Sequence, residues 1–291
     1  MSLSVLVVSY NCPRLEQCLE ALVKQPEAAE IVVSDCSDVD PTAALAPRFP
    51  NVQFLHFDAK QSVPQLRWAA LRRTRGTVVA SLEARAVPAS DWCALLVRAH
   101  EQHPEAPVIG GPIALAASES ARDLGLYFCE YAPFAPPVEP GPAPDVSGAN
   151  VSYKREALER AADVLDAGQW ETRLHQRWRS LGQPLLLSGA TVSFENTMAV
   201  ATILRQRFSY GRGYAASRLT RRSWFQRVLF AAGSVLLPAL LTGRIGRTLA
   251  AKGRFAEFVR ALPYIVLFNT VWAAGELTGY LFGDSGAVEI Y

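Results

Sequence analysis

Residues 3–11 read "LSVLVVSYN". An almost unbroken apolar run stops at Ser9, Tyr10 and Asn11, the pattern of a strand buried on both faces that delivers a polar turn. Directly behind it, "PRLEQCLEALVKQ" places Leu15, Cys18, Leu19, Leu22 and Val23 on one helical face. The pattern then repeats. "EIVVSDCSD" and "VQFLHFD" are further apolar strands ending in polar residues, and "VPQLRWAALRRTRG" reads as a helix closed by Gly76. "TVVASL" is a fourth strand, and the capped helix "SDWCALLVRAH" leads into the strand "APVIGG". Apolar strands alternating with amphipathic helices predict an α/β fold with a mostly parallel sheet and helices on both faces. Ligands of such sheets bind beyond the carboxyl ends of the strands, where each of these polar clusters falls.

After Pro112 the pattern loosens. "YAPFAPPVEPGPAPD" carries six prolines and reads as an extended linker or flap. "VSGANVSYKREAL" is a strand running into a helix. "WETRLHQRWRSLG" is a helix with Leu174, Trp178 and Leu181 on one side, followed by the strands "PLLL" and "ATVSF". From Ser223 the composition changes. "VLFAAGSVLLPALLTG" and "ALPYIVLFNTVWAAGELTGYLFG" are the most apolar stretches; the first is short for a clean span of ~20 residues and contains Pro238. Arg221, Arg222 and Arg227 precede the first run, and Arg244, Arg247 and Lys252 follow it. Between Arg205 and Arg260 there are twelve basic residues and one acid, Glu257. Basic residues beside apolar segments predict a re-entrant hairpin or interfacial helices on an anionic membrane surface. A soluble helical subdomain is the other reading.

Across the 291 residues, 29 basic and 27 acidic side chains nearly cancel, so nothing points to nucleic acid; half the chain is apolar. Five cysteines without a CxxC pair indicate neither a disulfide framework nor a zinc site, and buried thiols in a reducing compartment are expected. The apolar run at the start is too short for a signal peptide and lacks a basic flank, so the catalytic part is expected in the cytosol. The segments divide as 1–115, 116–197 and 198–291, the last being the basic and apolar helices.

"SVLVVSYN", "EIVVSDCSD", "SLEARAVPASDW", "VSGANVSYKREAL", "WETRLHQRW" and "RFSYGRGYAASR" occur in the order and spacing of family 2 glycosyltransferases, and the chain resembles that family along its whole length. The resemblance implies the GT-A (Rossmann-like) fold. It is narrower still to a bacterial branch whose metal motif reads Thr-Glu-Asp-His-Cys and whose tail, like "WAAGELTGYLFG" here, is basic and apolar.

It implies that Ser9, Tyr10 and Asn11 hold the nucleotide base, Asp35 the base or ribose, and Arg67 the nucleotide. It makes Glu171 the base that takes the acceptor proton, with Asp166 as fallback; otherwise Glu171 is a first-turn acid favoured by the helix dipole. Gly148 and Asn150 of "SGAN" would line the acceptor side, and Arg212, between two glycines, would meet the diphosphate.

The chain departs from the branch at the metal motif. Glu83-Ala84-Arg85 stands for Glu-Asp-His, and Phe194 stands where a histidine commonly completes the site. A lone Glu83 makes a poor divalent site, so a bound Mg2+ or Mn2+ is disfavoured and the nucleotide sugar is the expected small molecule. Arg85, with Arg212, is assigned to the diphosphate, and Glu83 to positioning Arg85 or a ribose hydroxyl. The expected function is inverting transfer of a sugar from a nucleotide diphosphate to a lipid-linked or polysaccharide acceptor, at the cytoplasmic face of a bacterial inner membrane. The alternative is a catalytically silent relative serving as a binding or scaffold subunit in polysaccharide assembly.

Overall fold

The computed structural model describes residues 1–116, 120–218 and 223–283. They form two compact units: Met1–Ala116 with Phe134–Glu195, and the described residues from 120 to 133 and from 196 to 283.

The first unit is built on strands β1 (Leu3–Ser9), β2 (Ala28–Asp35), β3 (Val52–His56), β4 (Val78–Glu83), β5 (Ala86–Pro88), β6 (Val108–Gly110), β7 (Ile113–Leu115), β8 (Gly141–Pro142), β9 (Asn150–Lys154), β10 (Leu185–Leu187) and β11 (Val192–Phe194). Its helices are α1 (Leu15–Leu22), α2 (Thr42–Leu45), α3 (Val63–Leu71), α4 (Trp92–Gln102), α6 (Arg155–Glu159), α7 (Ala162–Asp166) and α8 (Glu171–Ser180), with α5 (Ala121–Tyr131) in the second unit. Eight strands form one sheet in the order β3-β2-β1-β4-β9-β6-β10-β8, and β5-β11-β7 form a second.

The four strands with the clearest apolar runs, β1 to β4, are parallel neighbours, as their pattern predicts. β9 is inserted antiparallel to both β4 and β6, a reversal that "VSGANVSYK" does not announce. The proline-rich stretch contributes β8, and its prolines are tolerated because β8 is the sheet edge, paired only to β10.

Leu6, Val32 and Val79 from the sheet, Leu71 from α3, and Tyr153, Leu174 and Trp178 share one buried cluster. Each fully buried side chain of this kind stabilises by about 1.5–3 kcal/mol. α3 starts at a capping box in which Ser62 and Gln65 bond reciprocally, with Pro64 in the first turn. It ends at Leu71, not at Gly76. The Gly76 N–H instead donates to Ser4 Oγ (2.8 Å) and Glu30 Oε2 (3.2 Å), tying β1 to the start of β4. Asp91 makes no side-chain cap for α4, and Leu181 lies past the end of α8, 66% exposed, rather than on its buried side.

The second unit adds α9 (Val200–Ser217), α10 (Trp224–Ser234), α11 (Leu237–Ala251) and α12 (Phe255–Phe282) to α5. "RFSYGRGYAASR", whose Arg212 is expected at the diphosphate, lies in α9 up to Ser217. Its glycine at 211 serves helix packing, because a Cβ there would strike the Trp272 carbonyl of α12. Across the same seam, Cβ atoms at Gly275 and Gly279 would strike the carbonyls of Phe208 and Arg212. The second apolar run does not stand alone. It is continuous with the charged residues before it in a 28-residue helix that contains Pro263 and is long and apolar enough to cross a membrane. α10 and α11 are bent by 55° at their junction. Arg221 and Arg222 lie outside the described residues.

Candidate functional site

The carboxyl ends of β1, β2 and β3 meet in a hydrogen-bonded cluster. Asp35, 1% exposed, accepts from the Ser37 backbone N–H (2.9 Å) and Ser37 Oγ (2.6 Å), and pairs with His56 Nδ1 (2.9 Å). Asn11, the one described non-glycine residue with positive φ (45°), locks this turn to the next strand end. Its Nδ2 donates to Asp38 Oδ2 (2.8 Å), and its Oδ1 accepts from the Asp38 N–H (3.0 Å). Asparagine tolerates that backbone better than most residues. Ser9 Oγ is buried without a hydrogen-bond partner. Tyr10 carries the Lys60 ammonium on its hydroxyl (2.9 Å), and this contact raises the Lys60 pKa. Ser9, Tyr10, Asn11 and Asp35 are thus brought together. His56 and Lys60 join them; the only signal for His56 was a polar residue closing an apolar strand.

A second cluster surrounds the start of α8. Arg67, 1% exposed on α3, forms an ion pair with Glu171 and donates from Nη2 to the Gly148 carbonyl (3.0 Å). Gly148 leaves the room that the Glu171 side chain fills, since a Cβ at 148 would overlap its carboxylate. Glu171 keeps 30% of its side chain exposed. Arg67 therefore holds an acid and a loop together. Asp166 ends α7 and takes no part in this network. Close by in sequence, Asn150 has a different place: it is fully buried, accepts from Trp92 Nε1 (2.9 Å), and donates to the carbonyls of Pro112 and Ala190 (2.8 Å each). Its amide is fully used as a staple in the core, which corrects its expected place on the acceptor side.

At the end of β4, Glu83 Oε2 accepts from Arg85 Nε (2.8 Å), and the Arg85 guanidinium lies 5.0 Å from the Phe194 ring centre. This donor set does not fit a divalent cation. Its carboxylate already engages a cation, and Ala84 and Phe194 offer no ligand atom. Among the described residues no group of three or more His, Cys, Asp or Glu could hold a metal ion. Arg212 belongs to the second unit, where its Nε donates to the Gly283 carbonyl (2.9 Å).

The architecture is that of GT-A glycosyltransferases. A mannosyltransferase from Pyrobaculum calidifontis, solved with GDP-Man and Mn2+, superposes with a TM-score of 0.61 at 18% identity, over 96% of this chain and 87% of that one. GalNAc-T7, solved with UDP, GalNAc and Mn2+, gives 0.53 at 16% identity over 68% of this chain. The chain spans 43% of the length of GalNAc-T7. No curated protein sequence matches. The family model described as glycosyl transferase family 2 matches residues 4–161, more than half of the chain. With the strand-end turns and the sheet order that this segment builds, the match makes the chain a member of glycosyl transferase family 2 and a glycosyltransferase.

Proposed function

We propose that the first unit binds a nucleotide diphosphate sugar across the ends of β1 to β4 and passes the sugar, with inversion, to a lipid-linked or polysaccharide acceptor. Glu171 is the observation that carries this reading: a partly exposed carboxylate fixed at the mouth of α8 by Arg67 and given room by Gly148. In a single displacement the acceptor oxygen attacks the anomeric carbon, the bond to the diphosphate breaks, and the acceptor proton must leave. Glu171 takes that proton, while the electron pair departs with the nucleoside diphosphate. Asp35, His56 and the Asn11 turn supply the hydrogen-bonding groups for base and ribose. The sugar nucleotide, rather than a resident metal, is the small molecule this donor set suits, although both solved neighbours hold Mn2+.

The second unit attaches the enzyme to the cytoplasmic face of a bacterial inner membrane, where the acceptor lipid or growing polysaccharide lies. Exposed Trp224, Phe225, Leu229, Leu236 and Leu240, among arginines, support this placement. Release of nucleoside diphosphate from a panel of UDP-, GDP- and dTDP-sugars tests the activity and separates it from a silent relative. Glu171→Gln should lower turnover by ~10²–10⁴-fold with donor binding intact. Unchanged turnover in this variant would remove Glu171 from the mechanism.

A further inference from the structure

Where the resembled branch has metal ligands, this chain brings in two guanidinium groups. Arg85 sits in the turn between β4 and β5, held by Glu83 on one side and by the Phe194 ring on the other. Arg14 stands at the start of α1, just after the β1 turn, and its ion-pair partner is Glu195. Phe194 and Glu195 are consecutive, so the end of β11 supports both arginines. β5 and β11 are paired antiparallel with Ala86 opposite Phe194, which ties the Arg85 turn to that strand end.

The Cys12 thiol lies within range of the same charges. Burial raises its pKa, while Arg85 and Arg14 pull it down and Glu83 raises it. Val8 of β1 lies opposite Glu83 of β4, so Arg14 and Arg85 both follow strand ends at the carboxyl edge of β1, the edge that the donor reading assigns to the nucleotide.

We propose that Arg14 and Arg85 together form a cradle for the diphosphate of the donor, in the place where a divalent cation would otherwise bridge phosphate oxygens. The inference rests on the nucleotide-sugar reading of the first unit. A guanidinium has five donors in a rigid fork, so one can stay on a carboxylate while others reach phosphate oxygens. The two carboxylates differ in burial, and this sets their roles. Glu83, with a side chain 11% exposed, stays and orients Arg85. Glu195, 46% exposed, gives Arg14 up to the incoming phosphate and turns to water. The Nε of Arg14 is buried without a hydrogen-bond partner, so it is a donor already removed from solvent. As the glycosidic bond breaks, the growing charge on the leaving diphosphate falls on these two fixed cations.

The test is calorimetric titration of the full chain in detergent with UDP, GDP, ADP, CDP and dTDP, in EDTA and in excess Mn2+, with the matching nucleosides as controls. One diphosphate should bind in EDTA with an affinity that Mn2+ barely changes. Arg85→Ala and Arg14→Ala should each weaken it by about 10- to 100-fold while leaving the nucleoside unaffected. Arg85→Lys and Arg14→Lys, which keep the charge and the packed stem, should fall between. Glu195→Gln should tighten diphosphate binding, a gain that no purely structural role for Arg14 gives. Binding that requires Mn2+ overturns the cradle but leaves the donor site standing, as does binding in EDTA that ignores both arginines. Failure of every diphosphate to bind, with or without metal, overturns the cradle and the donor-site reading together.

Discussion

At residue 148 a missing methyl group decides whether an acid can reach its place. The Glu171 carboxylate lies where any side chain at 148 would have to sit, with Arg67 bound to both partners. Gly148→Ala should displace the carboxylate by about an ångström and lower kcat by roughly 10²-fold, with the donor KM little changed. Steady-state kinetics beside a melting curve check this; a loss of kcat matched by loss of folded protein would make the glycine merely structural. The "SGAN" motif made this loop visible in the sequence, yet its glycine and asparagine have different fates. Gly148 shapes the candidate site, whereas Asn150 is locked into the core by three hydrogen bonds. Arg67 was visible as a family arginine, but its tie to a carbonyl 81 residues away was not, because only the folded sheet brings α3 beside that loop.

Among elements, β1, β2 and β4 were legible because each apolar run marks a buried strand, and β3, only partly buried at the sheet edge, because its shorter run also ends in polar residues. β6, β9, β10 and β11 were legible as strands, but the three-residue β5 and β7 were not, nor was the antiparallel direction of β9, since pairing direction leaves no trace in an apolar run. The packing role of the glycine at 211 in α9 was not legible, because it appears only when α12 is seen against it. One helix–sheet joint makes a prediction of its own. His100 of α4 is fully buried, with Nε2 2.9 Å from Ser152 Oγ of β9. Burial, helped by the nearby Lys154 charge, lowers its pKa from 6.5 to about 3. The unfolded chain therefore binds the proton first. Stability contributed by neutral His100 is intact above about pH 6.5 and is lost as pH falls toward 3, at up to about 1.4 kcal/mol per unit. Urea unfolding from neutral to acid pH should show a steeper loss in the wild type than in His100→Gln. Identical slopes would mean that His100 takes its proton without disturbing the joint.

For the whole molecule, the composition announced a change of character near Ser223, and the structure places that change in a separate compact unit. Trp224, Phe225, Val235, Leu236, Phe255 and Phe282 are all more than half exposed, which water does not favour. The full chain should accordingly pellet with membranes and stay there in high salt, because burial of apolar side chains, unlike arginine attraction to anionic lipid, is not screened by ions. A full-length chain that remains in the supernatant without detergent would end the membrane assignment. The glycine seam between α9 and α12 bears on how such a unit is built. Apolar side chains draw helices together in water, but that drive fades once lipid tails surround them. Atoms already touching backbone to backbone keep their attraction in either medium. Gly211, Gly275 and Gly279 thus give this helix pair a bond indifferent to its solvent, one that holds in water and would need no remaking in a bilayer.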